Sequence, residues 1–193
     1  MAMKPSLVLA SQSPRRRELL GILGIPFEVI PADIAEVPGP GESPEQFVVR
    51  AAREKGIEVG GRVSNSIVLS ADTVVTIDGL ILGKPADEAH AIRMLRQLSG
   101  RQHVVYTAVC VIDQIHDEMH EALEKTAVWF NSMTDAQIID YVRREEVLDK
   151  AGAYAIQGFA GVYISKIEGN YGNVMGLPLP VVHDFLSRTK FYF

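Results

Sequence analysis

Apolar residues in this chain fall into short continuous runs, period-two alternations and helical stripes, and the switches between these patterns predict the elements. Leu7–Ala10 is an apolar run that predicts a strand, followed by a helix from Pro14 to Leu23 closed by Gly24. Phe27–Ile30 predicts a second short strand, and a loop rich in Pro and Gly then runs from Pro31 to Gly41, a length at which loops are often functional. Ser43-Pro44-Glu45-Gln46 is a capping box with proline at the first helical position. Along that helix Phe47 and Ala51 form one i,i+4 row, with Val48 and Ala52 beside it, and the next step of four lands on Lys55. A lysine ending an apolar stripe either snorkels at the helix end or belongs to a polar site. Ile67–Ile77 predicts a long strand, turned at Asp78-Gly79 into Leu80–Pro85 by a strong hairpin signal. A helix from Asp87 to Leu98, stopped by Gly100, precedes strands at Val104–Ile112 and Thr126–Phe130, and Thr134 caps a helix running through Arg144. From Ala151 onward glycines separate short strand-like runs such as Gly161–Ser165, before a terminal helix near Pro180 to Leu186. Strand-helix units combined with hairpins predict an α/β fold with a mixed rather than purely parallel sheet.

Several polar residues break this pattern. Ser13 is the expected N-cap and Pro14 the first residue of the first helix, so Arg15, Arg16 and Arg17 fill its first turn. The free N–H groups there already carry about half a positive charge, which favours acids and penalises cations. An anion held by the helix start and bracketed by guanidinium groups explains the choice, because backbone N–H donors and arginine forks both match phosphate oxygens; a solvated basic turn is the plainer alternative. Asp72 interrupts the middle of a strand, where a carboxylate without partners costs several kcal/mol, so a cavity or surrounding cations are expected. In an ideal two-residue hairpin Lys84 lies opposite Thr73, with its side chain leaving on the face away from Asp72; only a bulge or kink at Gly83 would bring the two together. Gln157 is a further polar residue in Ala153-Tyr154-Ala155-Ile156-Gln157-Gly158. Cations near a strand carboxylate suit phosphoryl chemistry, in which positioning and charge neutralisation do most of the work.

Composition narrows the class. With 193 residues, 47% of them hydrophobic, the chain is long enough for a proper core, and its net charge of -5 argues against bulk binding of nucleic acid or an anionic membrane surface. The single cysteine, Cys110, sits in a strand-like run and is expected to be buried, which excludes an intrachain disulfide and suits a reducing cytoplasm. No secretory leader and no run of about 18 apolar residues is found, so a cytoplasmic protein that neither is secreted nor spans a membrane is expected. The chain lacks a Gly-Lys-Ser/Thr phosphate loop, a Gly-x-Gly-x-x-Gly turn and a Gly-x-Ser-x-Gly elbow. His116 and His120 have the spacing of a helical zinc pair but not the His-Glu-x-x-His order, and are expected in a solvated acidic loop. Trp129 and Phe130 are expected in the core rather than as a base-stacking platform.

Leu9–Leu20, Ala52-Arg53-Glu54-Lys55, Ser70–Val75, Gly83-Lys84-Pro85 and Asp149–Gly158 together resemble the successive signatures of the Maf family of nucleoside triphosphate pyrophosphatases, over nearly the whole chain. The resemblance implies a single domain over 1–193, with a mixed central sheet flanked by helices and two lobes around a cleft, like inosine triphosphate pyrophosphatases. A homodimer is implied as well. The implied reaction is hydrolysis of a nucleoside triphosphate to the monophosphate and pyrophosphate, with a divalent metal cation, Mg2+ or Mn2+. By position, Asp72 matches the proton acceptor that activates water for attack at the α-phosphorus. Arg16, Lys55 and Lys84 match phosphate-binding cations, while Ser11 and Ser13 fall in the loop that cradles the phosphates. Arg15, Thr73 and Gln157 match positions linked to substrate choice, and Glu36 matches an acidic loop residue that helps hold metal. The Tyr-x-Ile-Gln-Gly form around Gln157 is similar to the branch acting on dTTP and UTP, whereas the branch acting on 7-methyl-GTP carries an acidic residue. An amide offers both the donor and the acceptor that a thymine or uracil edge needs; a carboxylate only accepts and suits a cationic methylated guanine. A 7-methyl-GTP enzyme, and a nucleotide-binding regulator of septum formation with incidental hydrolysis, are the alternatives.

Overall fold

A computed structural model describes residues 5–189 and Phe191. Its sheet has the strand order β2-β1-β3-β5-β6-β7, with β4 on β3; the strands are β1 (Ser6–Leu9), β2 (Glu28–Val29), β3 (Ser66–Ile77), β4 (Leu80–Leu82), β5 (Gln102–Asp113), β6 (Glu118–Phe130) and β7 (Ile164–Glu168). β1 pairs in parallel with both β2 and β3, while β3/β4 and β6/β7 are antiparallel, so the sheet is mixed as expected. The helices are α1 (Pro14–Gly21), α2 (Pro44–Gly60), α3 (Glu88–Leu98), α4 (Asp135–Arg144), α5 (Tyr171–Met175) and α6 (Leu179–Arg188).

The chain separates into two compact units, residues 1–72, 107–124 and 176–193 in the first and residues 73–106 and 125–175 in the second. In the first unit Val8, Ala10, Val59 and Val68 form an apolar cluster with Ile30 and Ile112 against it. β3 is buried along almost its whole length, as expected of a strand with both faces covered. Ser70 and Asp72 are alternate residues and share one strand face. The Ser70 hydroxyl donates to the Ala52 carbonyl of α2 at 2.7 Å and approaches the Cys110 carbonyl at 3.3 Å. Gly56 makes that approach of helix to strand possible, because a Cβ there would lie 2.8 Å from Ser70 Oγ. The capping box at Ser43 and Gln46 forms on both sides, and Cys110 is buried.

In the second unit Val75, Leu95, Val128, Phe130, Ile138, Tyr141 and Tyr154 belong to one apolar core. Asp78 and Gly79 both have positive φ, 52° and 77°, which is the backbone of a two-residue hairpin turn. α4 carries a second capping box, Thr134 with Gln137.

Three sequence expectations change. Residues 118–124, read as part of an acidic loop, are the first half of β6, where exposed Glu121 and Leu123 alternate with half-buried His120, Ala122 and Glu124; the acids fall on both faces, so the residue types show no period-two pattern. Gly161–Ser165, read as strand, is divided between a 3-10 turn at Phe159–Val162 and the start of β7. Phe130 is core, but Trp129 is only half-buried and lies under the Lys166 ammonium, 4.4 Å from its ring centroid.

Candidate functional site

The junction of β1 and α1 folds around two serines. Ser13, extended at φ -65° and ψ 119°, caps α1 by accepting from the Arg16 N–H, and the Ser13 N–H donates to Ser11 Oγ at 3.2 Å. Arg16 turns inward: its Nη1 donates to Ser11 Oγ at 3.3 Å and its Nε to the Gly176 carbonyl at 2.8 Å, leaving the residue 8% exposed. Arg17 is exposed and Arg15 half-buried, so only one of the three arginines behaves as a solvated turn would.

A second cluster stands on α2 and β3. Lys55 Nζ lies 2.6 Å from Asp72 Oδ1 and 3.0 Å from Glu36 Oε1, with Lys55 and Asp72 both buried and Glu36 on the loop before α2. The lysine therefore does not snorkel; the apolar stripe ends on a buried ion pair, at the turn of α2 where Gly56 meets Ser70. Desolvation pushes the Asp72 carboxyl above the ordinary carboxylate range, and the fields of Lys55 and Arg16 pull against it. Desolvation likewise lowers Arg16, opposed by Asp72 and then Glu36. These electrostatic links tie the serine-arginine junction to the lysine-carboxylate cluster. A basic carboxylate beside two desolvated cations can take a proton while the cations hold a polyanion.

Ser11, Ser13, Arg15, Arg16, Glu36, Lys55 and Asp72 all lie in the first unit. Thr73, Lys84 and Gln157 lie in the second: Thr73 half-buried on β3, Lys84 exposed two residues beyond β4, and Gln157 exposed in the turn at 156–158. The β3/β4 register, Val75 opposite Leu82, ends before Lys84. There the Gly83 carbonyl accepts from the Gly152 N–H at 3.1 Å, and Gly152, at φ 68°, has room for no Cβ beyond 3.0 Å of Val75. Sequence reasoning missed the Gly176 carbonyl, which has no side chain to betray it, and the fit at Gly56, which looks like an ordinary helix glycine.

Among the described residues no group of three or more His, Cys, Asp or Glu is placed to hold a metal. His116 instead pairs with the buried Asp113 at 2.7 Å, and His120 packs on Phe185 with ring centroids 5.6 Å apart. The point between Asp72 and Glu36 is filled by the Lys55 ammonium, but Glu36 lies at the exposed rim, and one carboxylate completed by substrate phosphates suffices for Mg2+, so the residues fit that group. No helix among the described residues is long and apolar enough to cross a membrane.

Residues 6–189 match the family described as Maf-like protein. The chain is 50% identical to a dTTP/UTP pyrophosphatase of Anaeromyxobacter dehalogenans strain 2CP-C over 98% of this chain and 96% of the relative. It is 48% identical to one of Escherichia coli strain K12, over 95% and 92%, and 46% identical to one of Pelotomaculum thermopropionicum, over 94% and 95%. Among solved structures, the Staphylococcus aureus Ham1 protein shares the fold, with a TM-score of 0.52 at 15% identity, covering 95% of this chain and 98% of that one.

Proposed function

The chain belongs to the Maf family, and on that premise we propose that it hydrolyses dTTP and UTP to the nucleoside monophosphate and pyrophosphate. The relatives' names support the substrates, and the buried Asp72–Lys55 pair beside Arg16 carries the chemistry. Asp72 accepts the proton of a water attacking the α-phosphorus. Burial raises its basicity, and that basicity rises further as Lys55 and Arg16 turn toward the entering phosphates and away from the carboxylate. Arg16 and Lys55 bind phosphate oxygens, Ser11 and Ser13 hold the junction that presents them, and Lys84 adds a third cation. Arg15, Thr73 and Gln157 set substrate choice; the Gln157 amide offers a donor and an acceptor to a pyrimidine edge. Glu36, together with the substrate's own phosphates, would hold a divalent cation, Mg2+ or Mn2+, which would supply neutralisation of phosphate charge. We assign all these roles to one catalytic domain over 1–193, acting in the cytoplasm as a homodimer.

The test is pyrophosphate release from dTTP, UTP, CTP, GTP, ATP and 7-methyl-GTP with Mg2+, run beside Asp72→Asn. The expected result is preference for dTTP and UTP, with the variant slower by about 10²–10⁴-fold, the usual reach of a general base. Turnover of 7-methyl-GTP instead would overturn the reading of Gln157. Binding without turnover of any nucleotide would favour the regulator.

A further inference from the structure

The loop at 31–41 is tied to α2 by a set of charged contacts that the proposed chemistry does not use. Arg50, five residues before Lys55 on α2, is its centre. Its Nε and Nη2 each lie 2.7 Å from a different Glu42 oxygen, a two-pronged contact, and Nη1 reaches the Glu54 carboxylate at 3.0 and 3.2 Å. Nη2 also donates to the Val37 carbonyl at 3.0 Å. Val37 is the residue after Glu36, whose carboxylate sits 3.0 Å from Lys55 Nζ. Glu42 completes the tie by accepting from the Gly39 N–H at 2.8 Å. Farther back on the loop, Glu58 accepts from the Asp33 N–H at 3.2 Å and Arg62 donates to the Pro31 carbonyl at 2.5 Å. The loop has no helix or strand of its own between 31 and 39, so these side chains, rather than a backbone ladder, hold it.

We propose that Arg50 is a positioning residue: by gripping Glu42 and the Val37 carbonyl together, it holds the 31–41 loop in the course that sets the Glu36 carboxylate against Lys55. Only the rigid fork of a guanidinium makes all these contacts at once; an ammonium is a single point charge and keeps at most part of them. Arg53, three residues along α2, provides the contrast. It makes an equally short bidentate pair, at 2.6 and 2.8 Å, but with Glu121 of β6 and not with the loop.

The functional arm of the test rests on the dTTP/UTP reading; the structural arm does not. The structural arm is amide hydrogen exchange over 31–41 without nucleotide. Arg50→Ala and Arg50→Lys are expected to speed exchange at Gly39 and its neighbours, Arg53→Ala to leave it unchanged, and melting temperatures show whether any variant has unfolded globally. Unchanged exchange in Arg50→Ala overturns the proposal. The functional arm is a double-mutant cycle on kcat/KM for UTP, because two residues that act through one contact are not additive. Arg50→Ala and Glu36→Gln are each expected to lower it by about tenfold, or about 1.4 kcal/mol, and the pair together by no more than about tenfold. Losses that multiply, or a Glu36→Gln variant as active as the parent, also overturn it. Absence of UTP turnover in the unaltered protein counts against the functional reading alone and leaves the exchange result to decide the strap.

Discussion

Acid should weaken the second unit through one buried imidazole. His103 is 2% exposed; its Nε2 meets the Tyr154 hydroxyl at 2.8 Å, its ring stands edge-on to Phe130, and its Nδ1 is buried without a hydrogen-bond partner. Protonation would place a charge and a second N–H where no acceptor waits, and burial accordingly lowers the pKa from 6.5 to about 4. The sign follows directly. The unfolded chain takes up the proton near pH 6.5 while the folded protein refuses it until about pH 4, so stability is complete above 6.5 and falls through that window. A difference of about 2.5 pH units, at about 1.36 kcal/mol each, amounts to about 3 kcal/mol at the acid end. Urea unfolding at a series of pH values, followed by the fluorescence of the single tryptophan, Trp129, reads this unit because Trp129 and His103 both belong to it. His103→Gln keeps a hydrogen-bonding group for Tyr154 without titrating. The stability difference between the parent and this variant should shrink by about 3 kcal/mol between pH 7 and pH 4. Parallel pH curves for the two proteins would refute the reasoning.

Two further substitutions test close approaches. Gly56→Ala improves helix propensity by about 1 kcal/mol, yet its Cβ would stand 2.8 Å from the hydrogen-bonded Ser70 hydroxyl; the expected outcome is lower thermal stability and a reduced kcat for UTP as Lys55 is displaced, whereas a more stable protein with unchanged kcat would show that the contact does not matter. Gly152→Ala forces a side chain into positive φ and into Val75 at 3.0 Å, and should cost about 2 kcal/mol in urea unfolding, partly recovered by adding Val75→Ala. A loss below a few tenths of a kcal/mol would count against that account.

Where local chemistry determines structure, the chain was readable: Ser13 and Pro14, the Ser43 and Thr134 capping boxes and the Asp78-Gly79 turn all form as their residue types require. Lys55 and Asp72 were readable as anomalies, since a charge inside an apolar stripe or strand demands an explanation, but 17 residues of sequence separation hid that they explain each other. β6 was half lost because Glu118, Glu121 and Glu124, spaced by three, fall on both faces of the strand and look like loop solubilisers rather than one side of a period-two pattern. The strap from Arg50 to Val37 was invisible for a different reason: a backbone carbonyl accepts whatever residue carries it. The i,i+4 pairing of Arg50 with Glu54 was on view and pointed elsewhere.

Arg16 and Lys55 are two buried positive charges facing one buried carboxylate, with Glu36 at the rim. At rest the charges balance only by counting Glu36, the one member of the four that is not buried. For the proposed reaction this has a kinetic edge, because the groups assigned to seize the triphosphate on arrival are the same ones that the detached diphosphate must escape. Stronger capture then means slower departure, and the ceiling on turnover passes from bond cleavage to the unloading of a product that still carries most of the charge by which the substrate was held.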